Sequence, residues 1–387
     1  MRILNVVGWL APRYGGTVAV INRVVPLLER RGHYVEVWTT NADGMGVLPV
    51  ATGRPIRWQG MTVTFHSLSH PKAYLVSWDM VRTIRQRIAE FDVVHIHSLY
   101  RFHTLVTSRI AKNRGVPYVI QAHGALDPWN RGRRRRAKSA YHALIEDAHL
   151  NGAAAIVCTS AQEEEGMRKL GYKGRIRVVP LGVDVPDAPK SETPDDQFLT
   201  LMQPDRKLIT FVGRISPVKG VDLLVESFGA VSRAFPQAHL VVAGPDQDGN
   251  LSGVRRSVAS KGLSERVSFL GPVTSTTRDL LLQRSSVFVL PSAGESFGLA
   301  VSEAMAAGCP VVVTPRVAIQ DIVTRAGAGV VAERSVLGIA EAINVILSDP
   351  KAAAAMGRAG RRAMREGFSW DAVAGEMESL YRSLVAS

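Results

Sequence analysis

Short runs of consecutive apolar residues recur along the 387-residue chain, separated by stretches with helical spacing of apolar positions. Residues 2–8, "RILNVVG", read as a short buried strand. A glycine-rich loop follows, "WLAPRYGGT", and then a helix, "VAVINRVVPLLERRG", closed by Gly32. The strand "YVEVWTT" comes next, and further on "FDVVHIHS", "PYVIQAHG", "AAAIVCTS" and "IRVVPLGVD" complete this half. These strands are apolar nearly throughout, as expected where helices cover both faces of a parallel sheet.

A polar linker, "DVPDAPKSETPDDQF", interrupts the pattern, which restarts at "RKLITFVGRISPVKG". The helix "VDLLVESFGAVSRAF" leads to the strand "AHLVVAGP", and later strands are "VSFLG", "SSVFVLPS" and "CPVVVTP". The pattern predicts an α/β protein of two doubly wound Rossmann-like domains, residues 1–185 and 200–365, joined near 184–200. Residues 366–387, including "FSWDAVAGEMESLYRSLVAS", form a closing amphipathic helix that would fit as a cap on the second domain. Ligands of such sheets bind beyond the carboxyl ends of the strands, so the cleft between two facing domains is the expected site.

Composition adds little to this picture; charge adds more. Hydrophobic residues make up 46% and charged residues 21%, an ordinary globular balance, and no apolar run reaches the roughly 18–20 residues of a membrane-spanning helix. The two cysteines, Cys158 and Cys309, sit in apolar stretches and are expected as buried thiols, too few for a disulfide scaffold. With no signal-peptide pattern at the start, the expected compartment is the reducing cytoplasm. The net charge of +13 is one-sided: residues 1–190 carry 27 Lys and Arg against 14 Asp and Glu, and the remainder is neutral. Such asymmetry points the first half towards an anionic partner.

Two loops carry candidate chemistry. In "GRISPVKG", Arg214 and Lys219 lie between a strand's carboxyl end and a helix start, which suits a diphosphate grip; surface charges around a turn would look the same. In "PSAGESFGLAVSEAMAAGCPVVV", Glu295 falls in the loop and Glu303 in the second turn of the helix ended by Gly308, with seven residues between them. Paired carboxylates can mark acid–base chemistry. Here the backbone N–H groups of Ser296, Phe297, Gly298 and Leu299 stand at a helix start, where a phosphate is stabilised. Carboxylates flanking a phosphate are better suited to sugar hydroxyls, which favours gripping two sugars across a diphosphate. The D-x-D of "PDQDG" is too short a signal for a metal site and reads as a solvated loop.

Taken in order, these segments resemble the retaining glycosyltransferases of GT-B fold in family four, with their E-x7-E pattern at Glu295 and Glu303. Other resembling pieces are "GGTVAVI", "RGHYVEVWTT", "DVVHIHS", "AHGALDPW", "VPLGVD", "LVVAGP", "VSFLGPV" and "FSWDAV". The resemblance implies a hexosyltransferase that needs no metal or cofactor and takes a nucleotide sugar, UDP- or GDP-linked, as donor. It also implies a closing helix that crosses back onto the N-terminal, acceptor-binding domain, the second domain being the nucleotide-sugar-binding one. Arg214 and Lys219 would neutralise the diphosphate and the charge that develops as the nucleotide leaves. Glu303 would hold ribose hydroxyls and Glu295 hydroxyls of the transferred sugar, with Ser296, Phe297 and Gly298 amides on phosphates or sugar. Gly15 and Gly16 would admit the diphosphate to the first loop, and Leu270 would meet the base through its main chain. His123, at a strand end, would hydrogen-bond the donor sugar. Asp127 would orient the acceptor or cap the following segment, and His97 would line the acceptor pocket, with His95 packed. No carboxylate is marked for a covalent intermediate, so same-face attack, with the leaving phosphate taking the acceptor's proton, is the expected route to retention.

Six of the eight residues from Arg131 to Lys138, in "RGRRRRAKSAYHALIE", are basic. They read as a solvated segment or as a patch for an anionic membrane surface, where each cation gains about 1 kcal/mol; no module for nucleic acid accompanies them. Tyr141, Leu144 and Ile145 follow. The expected setting is peripheral, at the inner face of the cell membrane, with a glycan or lipid-linked acceptor. A nucleotide-sugar epimerase of the same architecture, a non-catalytic nucleotide-sugar-binding protein and a glycosidase are the competing classes.

Overall fold

A computed structural model describes residues 1–124, 146–186, 201, 203, 205–246 and 249–386. The chain forms two compact units, Met1–Gly182 together with Trp370–Ser387, and Val183–Ser369. Each is built around its own largely parallel sheet.

In the first unit the strands are β1 (Arg2–Val6), β2 (Tyr34–Thr40), the small pair β3 (Ala42–Asp43) and β4 (Gly46–Val47), β5 (Pro55–Trp58), β6 (Met61–His66), β7 (Val93–His97), β8 (Tyr118–Gln121), β9 (Ala155–Cys158) and β10 (Ile176–Val178). The main sheet runs β10-β9-β8-β7-β1-β2-β6-β5, parallel except for β5. From β1 the chain moves to β2 on one side and returns to β7 on the other, so the winding reverses between β1 and β7. Leu4, Val6, Trp38, Ile96, Ile120 and Ile156 are fully buried in this core, the consequence of covering both faces. The β5–β6 hairpin is absent from the sequence reading although its signal is present. Gln59 and Gly60 both take positive φ, 47° and 83°, the two-residue turn that matches the strand twist.

The C-terminal helix Trp370–Val385 belongs to the first unit. Trp370, Val373, Ala374, Met377, Leu380 and Tyr381 recur at helical spacing and are buried, with the helix packed on Gly16–Arg30. Arg31 pairs with Asp371 at 3.0 Å and Glu378 at 3.2 Å, and the Tyr381 hydroxyl lies 2.7 Å from Nδ1 of buried His95. The helix therefore does not cap the second domain, and crosses back as the resemblance implied.

The second unit holds β11 (Lys207–Val212), β12 (Ala238–Ala243), β13 (Val267–Gly271), β14 (Val287–Leu290), β15 (Val311–Val313) and β16 (Gly329–Val331), all parallel, in the order β13-β12-β11-β14-β15-β16. The winding here reverses between β11 and β14. Cys158 and Cys309 are both buried free thiols, and burial pushes each thiol pKa up, away from the reactive thiolate.

Candidate donor site and its neighbours

Because β11 and β14 are adjacent at the reversal, the loops leaving their carboxyl ends emerge side by side. The first runs through Gly213, Arg214 and the single 3-10 turn Pro217–Lys219 to Gly220, which opens the helix Val221–Ala234. The second runs from Pro291 to Gly298, which opens the helix Leu299–Ala306. Their backbones interlock: Ala293 N–H donates to Val218 O at 2.7 Å, and the Ser292 hydroxyl donates to Val218 O at 2.9 Å. Gly220 has φ 72°, and a Cβ there would stand 2.5 Å from the Pro291 carbonyl oxygen, so only glycine lets the loops close together.

This brings Lys219 and Glu295 into a direct ion pair, each side chain about one-sixth exposed. Glu295 is fixed through its backbone as well, with its N–H on Arg316 O at 3.0 Å and its carbonyl accepting Ala318 N–H at 3.1 Å. Gly298, at φ 105°, turns the chain into the helix. Phe297 is 2% exposed with its ring beside Phe368, so only its backbone faces any ligand. Ser216, in the same loop as Arg214, buries a hydroxyl that makes no hydrogen bond among the described residues.

Glu303 lies one and a half turns along its helix, paired with Arg278 at 2.7 Å. Burial pushes its carboxyl up to about 7, with Asp279 and Asp184 adding to the rise and Arg278 opposing it. A carboxyl in this position changes charge near neutral pH, while Lys219 holds Glu295 in a cationic setting. Two carboxylates on one short segment thus sit in different electrostatic surroundings.

In the first unit, Gly15 (φ 63°) caps the helix Gly16–Arg30, and a Cβ at either glycine would meet nothing within 4 Å. His123 follows β8 in the left-handed region, φ 50°, with Nε2 2.9 Å from His97 Nδ1. His97 is 2% exposed, and its position on β7 turns the ring inward, with Nε2 3.1 Å from Asn5 Oδ1. His95 is packed, as expected, stacking on His97 with ring centres 4.1 Å apart.

A family model described as "Glycosyl transferase 4-like domain" matches residues 15–182, and one described as "Glycosyl transferases group 1" matches residues 193–363. The chain is a group 1 glycosyltransferase of GT-B fold. It is 26% identical over 276 residues, 71% of this chain and 68% of the relative, to the GDP-mannose:cellobiosyl-diphosphopolyprenol alpha-mannosyltransferase of Xanthomonas campestris. It is 29% identical over 311 residues, 76% and 74% of the two chains, to the D-inositol 3-phosphate glycosyltransferase of Frankia alni. Among solved structures, Anabaena HepE in complex with UDP-glucose superposes with a TM-score of 0.77 at 18% identity, covering 99% of this chain and 100% of that one.

Within this family member, the structure gathers Arg214, Lys219, Glu295, Ser296, Phe297, Gly298, Leu299 and Glu303 on two adjacent loops and one helix of the second unit. Leu270, on β13, is half-buried against the cluster around Val241. In "PDQDG", the Asp246 carboxylate accepts the N–H groups of Asn250 and Leu251, the work of a turn; residues 247 and 248 lie outside the described residues. Asp127, the basic run Arg131–Lys138 and the apolar Tyr141, Leu144 and Ile145 also lie outside them. Sequence reasoning missed Arg278 and Ser216. Arg278 carried no signal, since its helix, Ser275–Arg284, meets Glu303 only in the folded sheet. Ser216 was readable from its place between Arg214 and Lys219.

Proposed function

We propose that this glycosyltransferase moves a hexose from a UDP- or GDP-linked sugar, with retention, to a lipid-linked or cell-surface glycan intermediate. One observation carries the reading: the interlocked loops at the β11/β14 reversal hold Lys219, Glu295 and, one helix turn on, Glu303 in fixed mutual positions. In this reading Arg214, Lys219 and the amides of Ser296 to Leu299 take the diphosphate, and their charge stabilises the nucleotide as it departs. Glu303 holds the ribose, Glu295 holds hydroxyls of the transferred hexose, Leu270 meets the base, and Gly15 and Gly16 leave room for the diphosphate. His123 takes a hydroxyl of the donor sugar, and Asp127 orients the acceptor.

The acceptor attacks the anomeric carbon from the face the leaving group vacates. A C–O bond to the acceptor forms as the bond to the diphosphate breaks, and a leaving phosphate oxygen takes the acceptor's proton. No metal or cofactor enters this scheme. The lipid-linked acceptor is supported by the Xanthomonas relative, whose name gives a diphosphopolyprenol substrate, and by the cationic first half of the chain. The same charge supports docking of the Arg131–Lys138 region on the inner face of the cell membrane, leaving the protein cytoplasmic and peripheral.

The test is kinetic. Glu295→Ala should chiefly lower kcat, and Glu303→Ala should chiefly raise the Kd for the nucleotide, with thermal stabilisation by UDP or GDP lost in the second variant. Equal losses in both parameters in both variants would count against the division of roles.

A further inference from the structure

The imidazoles of the first unit form a hydrogen-bonded line that runs from Asn5 through His97 to His123. Asn5 on β1 is 3% exposed, and its Oδ1 meets His97 Nε2, while His97 Nδ1 meets His123 Nε2. An amide oxygen only accepts, so His97 carries its hydrogen on Nε2. A neutral imidazole has a single N–H, so His97 Nδ1 offers a lone pair and His123 must donate to it from Nε2. The second ring nitrogen of His123, Nδ1, is left with a lone pair.

The rings are neutral for a physical reason. Burial lowers the pKa of His97 well below the ordinary value and that of His123 to about 4, and His95 and His103 are lowered too. The backbone adds to the constraint. A left-handed φ costs a non-glycine residue about 1–2 kcal/mol, and His123 accepts it while keeping Nε2 on His97. His103 Nε2 bonds the His97 carbonyl at 2.8 Å, which fixes the middle of the line from a third element, the helix Phe102–Asn113. A cavity of about 20 Å³ lies against Asn5, His95, His97 and Gln121 on one side and apolar residues such as Val24, Leu181 and Met377 on the other, with room for about one water beside the Asn5 Nδ2, which no group among the described residues meets.

We infer that Asn5 and His97 are positioning residues that lock His123 in the Nε2–H tautomer, so that Nδ1 meets its ligand only as an acceptor and takes the hydrogen of a sugar hydroxyl. This rests on the reading of His123 as a ligand of the donor sugar. A flipped Asn5 amide would reverse both hydrogen bonds and turn Nδ1 into a donor, so the two arrangements make opposite predictions.

The experiment is a long-range ¹H–¹⁵N correlation spectrum of the full chain carrying ¹⁵N-histidine, with His123 assigned by its loss in His123→Gln. The expected result is a protonated Nε2 and an unprotonated Nδ1 on both His97 and His123. A protonated Nδ1 on His123, or averaging between the two forms, overturns the inference. In Asn5→Leu the His123 signals should become a mixture of tautomers, and kcat should fall about three- to tenfold, the worth of one hydrogen bond. A single unchanged tautomer in that variant overturns the role of Asn5. Should Asn5→Leu fail to fold, the wild-type spectrum alone decides. A fully active His123→Ala would sink the sugar-ligand reading while leaving the tautomer result standing, so the two failures are separable.

Discussion

Glu303→Gln should abolish a pH dependence of donor binding that the native protein shows. The Glu303 carboxyl is raised to about 7 from an ordinary 4.5, chiefly by burial. Ribose hydroxyls donate best to the ionised form, so affinity should follow its population. With a pKa of about 7 the carboxylate fraction is about ten-elevenths at pH 8 and one-eleventh at pH 6. That is about a tenfold weakening of Kd over two pH units, or about 1.4 kcal/mol. Calorimetric titration with UDP-glucose and GDP-mannose would measure it, since their diphosphates carry no group that titrates near neutrality. Buried imidazoles do not confuse the window: His123 and His103 lie at about 4 and His95 at about 3. The stability of the free protein should move the opposite way. A raised carboxyl pKa favours the fold most below 4.5 and loses that contribution as pH climbs through 7, a slope that Glu303→Gln should also remove. A flat native profile, or an equal slope in the variant, would refute the reasoning.

Gly220→Ala should lower stability by about 2 kcal/mol or more, through its left-handed φ and the approach to the Pro291 carbonyl, and should lose donor binding with it; urea unfolding and calorimetry check both. Tyr381→Phe should cost about 1–3 kcal/mol by leaving the buried His95 Nδ1 without its partner, with donor affinity unchanged; a melting curve unaffected by the change would contradict the tether. Arg278→Ala should raise the Glu303 carboxyl further and shift the midpoint of the donor-binding pH profile upward, a direct check on the pair.

The sheets were largely legible because parallel strands covered on both faces are written as apolar runs, such as "AHLVVAGP" and "CPVVVTP". Five strands escaped notice: β5 and β16 are less buried and lack such runs, β6 interleaves threonines with its apolar residues, and β3 and β4 are two residues each. The spacing of Glu295 and Glu303 was legible because both lie on one loop-helix segment, where sequence distance maps onto space. Partners brought in across the sheet were not: Arg278 reaches Glu303 from another helix, and Asn5 acquires meaning only because β1 lies beside β7. His97 shows the same limit: its ring meets Asn5 and His123, partners that no spacing along the chain announces.

The central claim is transfer of a sugar from a nucleotide to an acceptor. Mass spectrometry of the protein incubated with UDP-glucose or GDP-mannose and polyprenyl-diphosphate-linked oligosaccharides tests it most directly. The account predicts an acceptor heavier by one hexose, with free UDP or GDP released in equal amount and both lost in Lys219→Ala. Conversion of the donor into a different nucleotide sugar, with no acceptor growing, would contradict it.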